Sequence, residues 1–196
     1  ESKPVTVVCG AGNNGGDGYV IARTLACHSV PVRVIALRPV SELKGDAKSA
    51  AQGWQATAGS KTIDVSGEQK LTKSVVDQLK SSVLIVDAIF GTGFHGEVAT
   101  REAKVIDAIN AAAQAGARIV AVDVPSGIDA TTGRVSTPAI KAQTTVSLQC
   151  PKVGQLLLPA AEHCGVLYVV DIGLDVLGEE IVNVSQELLS AAAVQE

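Results

Sequence analysis

The chain has 196 residues, 46% of them apolar, a formal charge of −4, and only one Trp, two Tyr and two Phe. That length suits one domain around one buried core, and scattered Lys and Arg without a basic block or aromatic interleaving argue against a nucleic-acid surface. No apolar run approaches the ~18 residues of a membrane span, and the excess of Val, Ile, Leu and Ala over aromatics favours a parallel sheet under helices over a β-sandwich.

Val5–Val8 reads as the first strand. It opens into Gly10-Ala11-Gly12-Asn13-Asn14-Gly15-Gly16-Asp17-Gly18, and a helix is expected from Tyr19 to about Ala26. Gly10, Gly12 and Gly15 satisfy G-x-G-x-x-G, in which missing Cβ atoms let backbone N–H groups approach an anion at a helix N-terminus. Phosphate binding and a purely structural turn both fit this pattern. The second strand, Val32–Leu37, runs into Arg38, so the carboxylate that holds a ribose in the usual dinucleotide fingerprint is missing there. Gly16-Asp17 also lacks the Lys-Ser or Lys-Thr of a Walker A loop. An ordinary dehydrogenase or ATPase is therefore disfavoured, and Asn13, Asn14 and Asp17 bring more side-chain oxygen than phosphate recognition needs.

Ser41 is expected to cap a helix running toward Ala58, with Trp54 in the core. Thr62–Val65 is a weaker strand, and Leu71, Val75, Val76 and Leu79 recur at helical spacing. Val83–Val86 is a strongly apolar strand ending in Asp87 and a glycine-rich loop through Glu97; Thr100 then caps a helix from Arg101 to Ala115, stopped by Gly116. Ile119–Val122 repeats the arrangement, ending in Asp123. Beyond Gly133, Thr144–Leu148 and Val166–Val170 read as strands on one sheet edge, separated by a turn at Cys150–Gly154. Asp171–Leu174 is expected to close the core, and Gln186–Ala193 to form a terminal helix. In an open α/β sheet the carboxyl ends of the strands face the ligand, so the glycine turn, Asp87 and Asp123 should converge.

Cys9, Cys27, Cys150 and Cys164 have no C-x-x-C spacing, and His28, His95 and His163 suggest no zinc site, so reduced, mostly buried thiols of an intracellular protein are expected. An aspartate at a strand end can simply cap the next turn. Two of them beside a phosphate turn repel one another unless a cation or a shared proton compensates. Asn14, Asp87 and Ser126 are hard oxygen donors suited to an alkali or alkaline-earth ion. Pro125-Ser126-Gly127 is not the G-x-S-x-G elbow, which disfavours Ser126 as a nucleophile.

Four ordered blocks, Gly12–Gly18, Val86–Gly93, Val122–Asp129 and Lys152-Val153-Gly154, with the closing Val170–Gly173, resemble the NAD(P)H-hydrate epimerases, the YjeF N-terminal domain family. The resemblance covers the chain from the first strand to near residue 174. It implies an α/β, Rossmann-like three-layer αβα sandwich with a mainly parallel central sheet. It also implies interconversion of the R and S forms of hydrated NADH and NADPH (NADHX and NADPHX), which carry a hydroxyl at nicotinamide C6. By position it assigns substrate contacts to Asn13, Asn14, Gly15, Gly16, Asp17, Gly91, Thr92, Gly93, Phe94, His95, Gly96, Glu97 and Asp123, and one potassium ion (K+) per subunit to Asn14, Asp87 and Ser126. If Asp87 is committed to the cation, Asp123 is the expected proton carrier, with Lys152 its electrostatic partner.

A homodimer is expected, with a small-molecule substrate and no membrane or nucleic-acid partner, in the cytoplasm, or in mitochondria if a leading segment carried targeting. The chain starts at Glu1 almost inside a strand, and relatives have an upstream segment that helps form the dimer and cover the site. Loss of such a segment is therefore expected. Pro159-Ala160-Ala161 stands where relatives often have Pro-Gly, and without a following dehydratase domain the epimerase step alone is expected. Two rivals remain: a scaffold of the same fold that binds nucleotide or RNA, and an NAD-dependent oxidoreductase.

Overall fold

The computed structural model describes residues 3–67 and 71–174; the helix expected over Gln186–Ala193 lies outside them. Seven strands, β1 (Val5–Cys9), β2 (Val32–Ala36), β3 (Thr62–Asp64), β4 (Leu84–Ala88), β5 (Arg118–Val122), β6 (Thr144–Leu148) and β7 (Val166–Val170), form one sheet in the order β3-β2-β1-β4-β5-β6-β7. Every pairing is parallel. The central strands are buried on both faces, which is why they read as unbroken apolar runs.

Helices α1 (Asn13–Cys27), α2 (Gly45–Gln55), α3 (Lys73–Lys80), α4 (Thr100–Gln114), α5 (Val153–Leu156) and α6 (Ala161–Cys164) complete the described fold. Strand alternation divides the core in two. Val7, Cys9, Val34, Ala36, Val86 and Ala88 pack with Tyr19 of α1 and the buried Trp54 of α2, whereas Val8, Ile35, Ile85 and Ile119 pack with α3 and α4.

The main correction is α1, which starts at Asn13 instead of Tyr19. Most of the glycine-rich stretch is thus helix, against its low propensity. Tertiary packing explains the override: a Cβ on Gly18 would come within 2.7 Å of the Ala88 side chain and 2.8 Å of Cys9 Sγ, so only a bare backbone lets α1 sit against β1 and β4. Gly15 is under the same constraint, since its Cβ would collide with the Gly10 carbonyl. Because the obstacle is backbone and cannot rotate away, Gly15→Ala is expected to cost about 3 kcal/mol, a melting midpoint lower by roughly 6–12 °C for a domain of this size. A calorimetric scan checks this.

Other boundaries moved for local reasons. Ser41 lies in a 3₁₀ turn (Val40–Glu42), and α2 starts at Gly45, whose φ of 52° suits glycine. Thr100 is the first residue of α4, preceded by Ala99, and no side chain caps it. The expected turn at Cys150–Gly154 runs into the four-residue α5. Ile172 and Leu174 are exposed instead of closing the core. Cys9 and Cys164 are buried but Cys27 and Cys150 are exposed, so half of the thiols depart from the expected burial.

Candidate functional site

The ends of β1, β4 and β5 meet at a cleft of about 630 Å³, walled on one side by Ala11–Asn14 and Asp17 and on the other by Ile89–His95, with Asp123 between them. Thus Asn13, Asn14, Asp17, Gly91, Thr92, Gly93, Phe94, His95 and Asp123 come together as the sequence predicts. Gly15 and Gly16 do not line the cleft; they are buried within α1, Gly15 against Gly10 and Gly16 against Ala47. Gly96 and Glu97 also stand outside the lining, and Glu97 accepts a hydrogen bond from Ser136 Oγ at 2.9 Å, tying down the far end of the loop. Phe90 and Phe94 stack with ring centroids 4.9 Å apart.

Asp87, Ser126 and Asn14 form a connected group at the cleft's edge. Asp87 is fully buried and accepts from Ser126 N (2.8 Å), Ser126 Oγ (2.6 Å) and Ile89 N (3.2 Å). Burial pushes this carboxyl up to about 6, against the pull of the Ser126 and Ile89 hydrogen bonds. Ser126 Oγ in turn accepts from Phe90 N at 3.0 Å, and Asn14 Nδ2 donates to Phe90 O at 2.8 Å. Asn14 Oδ1 is left buried with no hydrogen-bond partner. A buried amide oxygen without a donor normally costs ~1–3 kcal/mol. Its nearness in this network to an anionic carboxylate and a serine oxygen is the donor chemistry of a small hard cation. No cluster of three His, Cys, Asp or Glu suited to a transition metal occurs among the described residues.

Asp123 has φ of 65°, a left-handed conformation that Asp and Asn tolerate better than most residues. The bend directs its carboxylate to Lys152 Nζ, which donates to Asp123 Oδ1, to Leu148 O (2.7 Å) and to Ser147 Oγ (3.1 Å). Lys152 thereby spends all three donors in one place. Asp17 on α1 faces the same space, and its carboxyl is raised above the usual range by burial first and the Asp123 charge second.

Two groups were missed by the sequence reading. Gln155 donates to Asp123 O at 2.6 Å and accepts from Lys152 N at 2.7 Å and Ser147 Oγ at 3.0 Å, bracing both catalytic candidates. From N3 of α5 the Gln155 side-chain oxygen reaches back to the N-cap Lys152 N–H, but a lysine at the N-cap has no acceptor and makes no capping-box pattern, so the sequence carried no signal for it. His95 Nδ1 pairs with Asp129 Oδ2 at 2.8 Å, while Thr131 N and Thr132 N donate to Asp129 Oδ1; together these hold the Asp129 carboxyl well below its ordinary range. That pairing joins two loops 34 residues apart, and no local pattern announces it.

Residues 1–154 match the family described as YjeF-related protein N-terminus. The NAD(P)H-hydrate epimerase of Levilactobacillus brevis is 36% identical over 171 residues, 87% of this chain and 73% of that protein. The bifunctional NAD(P)H-hydrate repair enzyme Nnr of Moorella thermoacetica is 39% identical over 191 residues, 97% of this chain. This chain spans only 35% of the length of that enzyme and 30% of its counterpart from Thermofilum pendens. The crystal structure of yeast ynu0 matches with a TM-score of 0.68 at 27% identity, covering 86% of this chain and 65% of the yeast one. The matched region runs from before β1 into α5, taking in the glycine turn, the strand-end aspartates and Lys152, and on these grounds the chain belongs to the YjeF-related N-terminal domain family.

Proposed function

We propose that this chain is an NAD(P)H-hydrate epimerase, interconverting the R and S forms of NADHX and NADPHX. The observation that carries the reading is the pair of carboxyls in one cleft: Asp123 ion-paired to Lys152, and Asp17 pushed toward its protonated form. Two carboxyls within one cleft, one of them held by a cation, can serve as proton donor and acceptor in turn. The name of the Levilactobacillus brevis relative supports the same reading.

The chemistry follows from the substrate. The ring nitrogen of a C6-hydroxylated nicotinamide releases the hydroxyl as water once an acid protonates it, and the nitrogen lone pair becomes the new C=N bond of a planar iminium. Water then adds to the opposite face, losing a proton to a base. Asp17 suits the first transfer and Asp123 the second, exchanging roles in the reverse direction, with Lys152 holding the Asp123 carboxylate in place. The Gly91–His95 loop and Asn13 would bind the nucleotide.

Potassium belongs to this proposal. Asn14 Oδ1, Asp87 and Ser126 fit it, because one carboxylate among neutral oxygens favours a singly charged ion and the orphaned Asn14 oxygen needs a positive partner. When bound, the ion supplies fixed positive charge that offsets the buried Asp87 carboxylate. A homodimer is also part of the proposal, supported by exposed Val166, Tyr168, Val169 and Val170 on the edge strand β7. No described helix is long and apolar enough to cross a membrane.

The direct test incubates the purified chain with one epimer of NADHX, with and without potassium, and follows the other epimer chromatographically against the spontaneous rate. Acceleration is the expected result. No acceleration, persisting when any upstream segment is supplied, would overturn the enzyme reading in favour of a binding module, and a change in nicotinamide absorbance would indicate hydride transfer instead.

A further inference from the structure

The geometry points to a phosphate subsite at the end of β2, formed by Arg38 and Arg101, that takes the 2′-phosphate of an adenosine and makes NADPHX the better substrate. Cys9 and Ala36 are paired neighbours in the sheet, and Leu37 N donates to Cys9 O at 3.0 Å. Arg38 therefore leaves β2 one strand spacing, ~4.8 Å, from the place where β1 enters the glycine turn. Arg101 arrives from the other direction, on the first turn of α4, directly after the loop that walls the cleft. The two guanidinium groups converge: Arg38 Nη1 and Arg101 Nη1 both donate to Leu37 O, at 2.9 and 3.4 Å.

Their charges are not balanced there. Among the described residues the carboxylate ion-paired here is the buried Glu102, 3.3 Å from Arg38 Nη1, which leaves one positive charge over. Asp64, at the end of β3, is one strand further out and accepts from Ser66 N. Arg38 is half-buried, and the contacts to Leu37 and Glu102 engage Nη1 alone. Nε and Nη2 of a guanidinium are a planar fork that matches phosphate oxygens.

In doubly wound folds the adenosine half of a dinucleotide lies over β1 and β2. A carboxylate at the end of β2 takes the free ribose hydroxyls, while an arginine there accommodates a 2′-phosphate. With Asp17 and Asp123 marking the nicotinamide end, this chain presents two arginines where the selecting carboxylate would stand. The inference rests on the epimerase reading for the identity of the substrate, but the subsite itself can be measured without turnover.

The experiment therefore has two arms. Calorimetry on the purified chain compares adenosine 2′,5′-bisphosphate with 5′-ADP, for the wild type, Arg38→Ala and Arg101→Ala, each checked for intact folding by melting. Arg101→Ala is the safer variant, because Arg38→Ala leaves Glu102 without its cation. The wild type should prefer the 2′-phosphate ~10-fold or more, and each substitution should reduce that preference severalfold. In the second arm, the kcat/KM ratio of NADPHX over NADHX should fall by about the same factor in both variants. Equal affinity of the wild type for the two adenosine ligands, a preference that survives both substitutions, or a parallel loss on both substrates overturns the subsite. If neither substrate is turned over while the 2′-phosphate preference appears and depends on the arginines, the subsite stands and the epimerase reading fails.

Discussion

Asp123→Asn is expected to slow epimerisation by roughly 10²–10⁴-fold, the range over which a positioned proton carrier contributes. The substitution suits the test because of the backbone. At φ of 65° an Asn is tolerated, whereas Ala would add strain to the loss of the carboxyl and confuse the two effects. The amide oxygen can still accept from Lys152 Nζ and from Leu148 N, which lies 3.2 Å from the native carboxylate, and Gln155 still donates to the backbone carbonyl. Loss of activity should thus appear mainly in kcat, with the melting midpoint shifted little. A variant that keeps more than about a third of the wild-type rate would remove Asp123 from the proton-transfer role. The catalytic assignment would then move to Asp17.

The second large effect concerns stability in the absence of potassium. Asp87 has a folded-state value of about 6 against 3.8 as the ordinary one, raised by burial. Below about pH 4 the group is protonated in both the folded and unfolded chain and contributes nothing to the difference. Between about 4 and 6 the unfolded chain ionises while the folded one does not, so stability falls as pH rises. Above about 6 the full cost, on the order of 3 kcal/mol, persists. Potassium bound at Asn14, Asp87 and Ser126 should offset that cost, because a ligand that binds only the folded state stabilises it.

In potassium-free buffer at pH 7.5, Asp87→Asn removes that cost but sets an amide nitrogen against Ser126 N, which donates to Asp87 Oδ2 at 2.8 Å, so its midpoint is expected close to that of the wild type. Added potassium should raise the wild-type midpoint and leave the variant's unchanged. A wild-type midpoint that ignores potassium while responding to nothing else about Asp87 would refute the cation site. The measurement does not depend on catalysis.

Strands were legible in the sequence because a parallel sheet buried on both faces leaves unbroken apolar runs such as Val83–Val86 and Ile119–Val122. Their parallel direction followed from βα alternation, and with it the meeting of the glycine turn, Asp87 and Asp123 at one end. What local pattern could not show was where backbone meets backbone. The start of α1 at Asn13 is decided by Ala88 and Cys9, residues of two different strands, and propensity pointed the other way. Helices of four residues, α5 and α6, hold too little periodicity to read. Within the site, the meeting of Asp123 with Lys152, 29 residues on, and of Asp87 with Ser126, 39 residues on, was expected through the family resemblance and from no local pattern, whereas the contacts of Gln155 and Asp129 were not expected at all. Gly96 and Glu97 shared a loop with true lining residues, and adjacency in sequence did not distinguish them.

The strand order also sets a timetable for synthesis. Val5 lies beside Leu84, a partner that the ribosome adds roughly 80 residues later, on the order of 4–16 s at ~5–20 residues per second. During that interval β1 can pair with β2 but must keep its other edge, the apolar Val5-Thr6-Val7-Val8-Cys9, unpaired. The glycine turn cannot take its final shape until Ile89 and Ala88 arrive, so that wall of the cleft is encoded first and completed late. A nascent chain of this protein is thus a natural client for factors that shield strand edges, and slowing translation before β4 should increase its aggregation.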